Sequence, residues 1–122
     1  MSKLWTAQVS QIGADAGEMI EAGVLILFGD PVPEALTEVS IVHTGATELV
    51  RPIAAGDRFR IGGREYRIVE IGGRACDNLT ELGHVVIYVN QPAQELLPGA
   101  IKATGPELVS PAAGDEIEFY EA

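Results

Sequence analysis

Apolar and polar residues alternate along this chain in short runs cut by glycine and proline. No helical period is sustained for more than about two turns, so the two-residue repeat of a strand governs the pattern. The runs place strands at Leu4 to Ile12, Val24 to Phe28, Val39 to His43, Arg58 to Ile61, Glu65 to Ile71, His84 to Val89, Ala100 to Ala103 and Glu116 to Tyr120. Two short helices fit between them: Asp15 to Glu21, stopped by Gly23, and Asn78 to Leu82, with Asp77 as N-cap and Gly83 as its stop. The fold class this predicts is all-β, a small closed β-barrel of about seven or eight strands with one or two short helices, because closure removes the edges that a loose sheet of short strands would expose.

Turn chemistry sharpens the layout. Gly62-Gly63 lies between two alternating runs, and glycine tolerates the positive φ angles of a two-residue hairpin loop. The stretch Pro52-Ile53-Ala54-Ala55-Gly56-Asp57 returns as Pro111-Ala112-Ala113-Gly114-Asp115. In both, proline ends one element and the Gly-Asp step turns the chain into the next strand, so a recurrent barrel turn accounts for the likeness more simply than internal duplication.

Composition narrows the function. A chain of 122 residues, 47% hydrophobic and 21% charged, suits one globular domain spanning 1–122 with a core of its own. The apolar stretch from Ala22 to Phe28 is too short to cross a bilayer, and Met1-Ser2-Lys3-Leu4-Trp5 has no signal-peptide core, so the expected location is cytoplasmic, without membrane insertion. One cysteine and two histidines exclude an internal disulfide and match no metal-ligand spacing; no metal or cofactor is expected. The net charge of −10 opposes nucleic-acid binding. All six arginines nevertheless lie between Arg51 and Arg74, with only Asp57, Glu65 and Glu70 among them, while Lys3 and Lys102 stand against fifteen acids elsewhere. Such a dipolar distribution steers charged protein partners, or else decorates a solvated hairpin.

Candidate chemistry rests on the two histidines. His43 closes the apolar run Val39-Ser40-Ile41-Val42 and is followed by Thr44-Gly45-Ala46-Thr47, small residues that leave room for a phosphoryl group and offer backbone N–H groups or a hydroxyl to its oxygens. Imidazole is largely neutral at pH 7 and supplies a lone pair without a strong base. Glu48 or a backbone carbonyl is available to fix the tautomer, and an arginine of the 51–74 segment, Arg58 or Arg60, to clamp the phosphoryl oxygens. His84 alternates to the face opposite Val85, Ile87 and Val89, which makes it an auxiliary candidate that meets His43 if their strands adjoin. Cys76 reads as a small buried residue rather than a nucleophile.

Several segments carry a family resemblance: Gln8-Val9-Ser10-Gln11-Ile12-Gly13-Ala14, Val24-Leu25-Ile26-Leu27-Phe28, Ile41-Val42-His43, Asp77-Asn78-Leu79-Thr80-Glu81-Leu82-Gly83-His84-Val85, Pro98-Gly99-Ala100, Thr104-Gly105-Pro106 and Gly114-Asp115-Glu116-Ile117-Glu118-Phe119. Together they resemble the glucitol/sorbitol-specific enzyme IIA family of the bacterial sugar phosphotransferase system, over essentially the whole chain. The resemblance implies a small β-barrel phosphocarrier that accepts a phosphoryl group from the carrier HPr on a histidine, here His43, and passes it to the IIB component of a glucitol/sorbitol-type permease. The alternative is a non-catalytic regulatory binding protein on the same scaffold. A small-ligand enzyme using both histidines ranks last, because no carboxylate stands at suitable spacing.

Overall fold

The computed structural model describes residues 2–122. The elements follow as β1 (Lys3–Ile12), α1 (Ala16–Glu21), β2 (Val24–Gly29), α2 (Glu34–Thr37), β3 (Ile41–Thr44), β4 (Arg58–Ile61), β5 (Arg64–Ile71), α3 (Ala75–Leu82), β6 (Val85–Val89), β7 (Ala100–Thr104) and β8 (Glu116–Tyr120). Each expected strand is present. Four details differ from the sequence reading. Val39 and Ser40 precede β3 rather than opening it, and His84 precedes β6. Helix α3 starts at Ala75 with Arg74 at the N-cap, so Asp77 lies in its first turn, where a carboxylate favours the helix dipole. The four-residue α2, which follows Pro33, is too short to show an apolar period and was not anticipated.

The strands close in the order β1-β3-β2-β6-β7-β5-β4-β8, and β8 pairs back onto β1. The β2–β3 and β6–β7 pairs are parallel and the other six antiparallel. Alternation decides what fills the barrel: Leu25 and Leu27, Phe59 and Ile61, Tyr66 and Ile68, Val85 and Ile87, and Ile117 and Phe119 are all buried in one core with Trp5. Each such side chain contributes about 1.5–3 kcal/mol by leaving water. The β4–β5 hairpin pairs Ile61 with Arg64 around Gly62 and Gly63, whose φ angles of +57° and +80° a Cβ would strain.

The near-repeat seen in the sequence extends to the entire barrel. In β2–β3, Leu27 pairs with Ile41, Phe28 with Val42 and Gly29 with His43; in β6–β7, Ile87 pairs with Ile101, Tyr88 with Lys102 and Val89 with Ala103. A bulge after Val9 on β1 is matched by one after Ile68 on β5, against β3 and β7 respectively. Exchanging β1, β2, β3 and β4 with β5, β6, β7 and β8 reproduces the strand order in reverse, which defines a pseudo-two-fold axis. The two Gly-Asp turns obey it as well. Asp57 and Asp115 each accept from the alanine N–H three residues earlier, Ala54 and Ala112, at 2.8 Å. Gly56 and Gly114 each donate to the partner strand, at the Ile68 and Val9 carbonyls, at 2.8 Å. A recurrent turn alone does not produce matched registers on both sides of the barrel, so the reading of the repeat as local is corrected.

The two turns differ in one respect, which yields a test. Asp57 also takes a two-pronged contact from Arg51, at 2.9 and 2.8 Å, and is 6% exposed. Its carboxyl is held below the usual carboxylate range chiefly by that guanidinium. Asp57→Ala is expected to lower stability by about 2–3 kcal/mol and Asp115→Ala by about 1 kcal/mol, from the charge-assisted bonds each loses. Urea denaturation of both variants checks this; equal losses would mean that Arg51 adds nothing to the turn.

Candidate functional site

Strand β3 delivers His43 to one end of the barrel. Its side chain points inward like that of Ile41, and the residue is 1% exposed. The neighbouring strands hold it from both sides, Val9 of β1 and Gly29 of β2 being its register partners. The Trp5 indole meets the imidazole edge-on, with centroids 5.1 Å apart and the planes at 90°. Bare backbone lies against the Cε1 edge: a Cβ added at Gly83 would sit 2.7 Å from that atom, and one at Gly29 3.4 Å from it. Gly83 is doubly constrained, because it also ends α3 in the left-handed conformation at φ +65°.

His43 Nε2 lies 2.7 Å from the Gly83 carbonyl oxygen. A carbonyl only accepts, so Nε2 carries the proton and the ring lone pair resides on Nδ1. Nδ1 is buried and has no hydrogen-bond partner among the described residues. Burial pushes the imidazole pKa below its ordinary 6.5, outweighing the opposing pull of the Gly83 bond. The neutral ring is therefore the resting form at pH 7, a nucleophile needing no separate base.

A cleft of about 840 Å³ opens over this ring, walled by Trp5, Phe28, Asp30, the segment Thr44 to Leu49 and the end of α3 from Leu79 to Gly83. Thr44, Gly45 and Ala46 are exposed here, and the Gly45 and Ala46 amides are without partners among the described residues. Those amides and the Thr44 hydroxyl can hold the oxygens of an anion. No lysine or arginine lines the cleft; its charged residues are Asp30, Glu48 and Glu81.

Several expectations are settled by this geometry. The tautomer is fixed by the Gly83 carbonyl and not by Glu48. The arginine clamp is overturned: Arg60 lies over the Tyr120 ring at 4.9 Å and faces Glu118, and Arg58 is on β4, which borders β5 and β8. His84 does not pair with His43, although its neighbour Gly83 touches that ring, because its own ring is turned onto Leu27 and Phe28. Its Nδ1–H donates to the Leu27 carbonyl at 3.0 Å and its ring stacks on Phe28, with centroids 4.4 Å apart, which braces the segment beside Gly83. Cys76 Sγ accepts from the Ile53 N–H at 3.3 Å, a structural tie between α3 and the loop before β4. Sequence reasoning missed Trp5, Gly29 and Gly83 as parts of the site. The single tryptophan was a visible signal; the two glycines matter only through their approach to the ring.

Comparison with known proteins follows from this arrangement. A family model described as the PTS system glucitol/sorbitol-specific IIA component matches residues 4–118. Two similar relatives, each named PTS system glucitol/sorbitol-specific EIIA component, come from Shigella flexneri and Escherichia coli strain K12. Each is 29% identical over 119 residues, covering 98% of this chain and 96% of the relative. A crystal structure of a PTS system IIA component from Enterococcus faecalis V583 shares the fold, with a TM-score of 0.79, 21% identity, and coverage of 94% of this chain and 98% of that one.

The buried imidazole predicts a pH dependence. Between the depressed folded pKa of His43 and 6.5, the unfolded chain binds a proton that the folded protein refuses, so stability falls as pH drops through that window. His43→Gln removes this titration, and its carboxamide N–H stays within reach of Gly83. From about pH 7.5 to about pH 5.5, the urea midpoint of the wild type should fall further than that of His43→Gln. Parallel declines would show that His43 is not buried neutral.

Proposed function

The chain belongs to the glucitol/sorbitol-specific IIA component family of the sugar phosphotransferase system, and from that membership we propose that His43 is the residue that carries the phosphoryl group. Proteins of this family are phosphotransferase components that work by histidine phosphotransfer, and this chain is one of them. The observation that carries the assignment is the His43 ring at the floor of the cleft, with an Nδ1 that has no hydrogen-bond partner among the described residues.

In this reading the carrier HPr docks over the cleft and presents its phosphohistidine in line with the His43 ring. Little covalent work falls to the protein; positioning and stabilisation of charge on the equatorial oxygens carry the rate. The Gly45 and Ala46 amides and the Thr44 hydroxyl receive those oxygens. With Asp30, Glu48 and Glu81 around the cleft and no cation in its wall, positive charge comes from the docking partner, whose basic surface the acidic rim attracts. The IIB component of the permease then collects the group on the same face. His84 acts through its brace on Gly83 and does not accept phosphate. A binding-only barrel would have no use for an unpaired nitrogen at the cleft floor.

Incubation with phosphoenolpyruvate, enzyme I and HPr, followed by intact-mass and phosphopeptide analysis, tests this. Wild type should gain one acid-labile phosphoryl group, and His43→Gln none. His84→Ala should still take up the group, more slowly. Arg58→Ala and Arg60→Ala should remain within about twofold of the wild-type rate, as surface changes remote from the cleft. Trp5, the only tryptophan and in contact with the ring, should change its fluorescence as the charge arrives. Uptake by His43→Gln, or none by wild type with charged HPr present, would overturn the assignment.

A further inference from the structure

The pseudo-two-fold gives the His43 cleft a counterpart at the other end of the barrel, a second cleft of about 410 Å³ with Val69, Asn90, Pro92, Lys102 and Thr104 in its wall. Strand registers identify equivalent positions around the two. In the first half Gln8 stands between Thr44 and Glu116, and in the second Arg67 stands between Thr104 and Arg58. The core residues that follow, Val9 and Ile68, match as well, each leading into a bulge. Beside the His43 cleft this cross-strand row therefore ends in a carboxylate; beside the counterpart the same row carries two guanidiniums. One scaffold presents opposite charge at equivalent places.

Arg58 and Arg67 alternate with the buried Phe59, Tyr66 and Ile68, so both side chains leave the outer face of the sheet. Like charges directly opposite one another are destabilising. Neither arginine has an ion pair among the described residues. The neighbouring carboxylates are taken elsewhere: Glu65 accepts from the Tyr120 hydroxyl, Glu70 faces Lys102 at 3.7 Å, Glu118 meets Lys3 and Arg60, and Glu121 meets Arg51. The repulsion is left without an internal counter-charge. Next to it, the polar groups of the cleft wall are turned on one another. Asn90 binds the Thr104 hydroxyl and both backbone groups of Gly105, and the Lys102 ammonium binds the Pro92 and Gln94 carbonyls. What the cleft offers a ligand is apolar, with Val69, 40% exposed in the β5 bulge, and Pro92.

From this arrangement we propose that the counterpart cleft binds a small phosphate monoester with an apolar body, its phosphate on Arg67 and Arg58 and its body against Val69 and Pro92. Two guanidiniums balance the charge of a phosphate dianion, and their planar forks suit its oxygens. The volume is at the lower end of the range for ligand sites, which selects a body about the size of one ring. A net charge of −10 repels extended polyanions and anionic surfaces, whereas a small ligand senses the local arginine pair. The site is at the end of the barrel away from His43 and stands whether or not that residue is the phosphoryl acceptor.

The test is an amide-resolved NMR titration of the ¹⁵N-labelled full chain with phenyl phosphate at about pH 7.5, where a phosphate monoester is largely dianionic. Saturable shifts are expected at Arg67, Val69, Ala103 and Thr104, with none at Gly45 and Ala46 beside His43. Inorganic phosphate and benzyl alcohol, which supply the head and the body alone, should each bind at least about tenfold more weakly. Arg67→Gln should weaken phenyl phosphate by about tenfold. Without ligand, Arg67→Gln should keep the wild-type urea midpoint or raise it, because it removes a like-charge pair; that separates lost binding from lost fold, and a lower midpoint would contradict the unrelieved repulsion. Shifts confined to the His43 cleft, or no saturation by phenyl phosphate, would overturn the proposal. Undiminished binding by a double variant carrying Arg58→Gln and Arg67→Gln would do the same. Inorganic phosphate binding as tightly as phenyl phosphate would overturn the part assigned to the cleft.

Discussion

The hydrogen bond between His43 Nε2–H and the Gly83 carbonyl is the constraint around which the site is built. It joins the end of β3 to the stop of α3, and it requires a residue without Cβ at Gly83 both for the left-handed turn and for the approach of the ring. It also fixes the tautomer, and with it the atom that holds the lone pair. Burial adds the second half of the effect by keeping the ring uncharged. A single short contact therefore links helix termination, ring orientation and nucleophilicity. Trp5 and Gly29 complete the enclosure from the two strands flanking β3.

The two ends of the barrel start from the same backbone plan and diverge in side chains. The His43 end has a cleft of about 840 Å³; the counterpart around Asn90, Gln91, Lys102 and Thr104 encloses about 410 Å³. At the counterpart, Lys102 stands where the first half has Val42, and it is buried with its ammonium donating to the Pro92 and Gln94 carbonyls. Those bonds tie down the segment between β6 and β7. The counterpart end thus keeps the smaller cleft, with a buried lysine tying its loop, and the His43 end the larger one.

Charge is segregated in the same spirit. Arg60 of β4, with Lys3, pairs with carboxylates of β8 on the outer wall, through Lys3 with Glu116 and Glu118 and Arg60 with Glu118. Exposed pairs of this kind contribute little each. The cleft itself is lined by no lysine or arginine, so in the proposed role charge neutralisation of the phosphoryl group falls to backbone amides and to the docking partner.

Strand positions, both glycine helix stops, the hairpin and His43 itself were legible in the sequence, because period-two burial, positive φ and a lone imidazole each leave a local mark. So did the repeat: Ile12-Gly13-Ala14-Asp15-Ala16 answers Ile71-Gly72-Gly73-Arg74-Ala75, and Thr44-Gly45 answers Thr104-Gly105. Their equivalence was hidden because side chains diverge while register persists. The partner of His43 could not be read, since Gly83 lies 40 residues away and contributes a carbonyl, a group every residue possesses. The arginine cluster misled for the opposite reason, as proximity in sequence placed those charges on strands that the barrel closure carries away from the cleft. What the sequence by itself determined was the class of barrel and the one histidine proposed as the phosphoryl acceptor. Which nitrogen of that residue is free, and what surrounds it, was decided only when closure brought backbone atoms from distant strands against the ring.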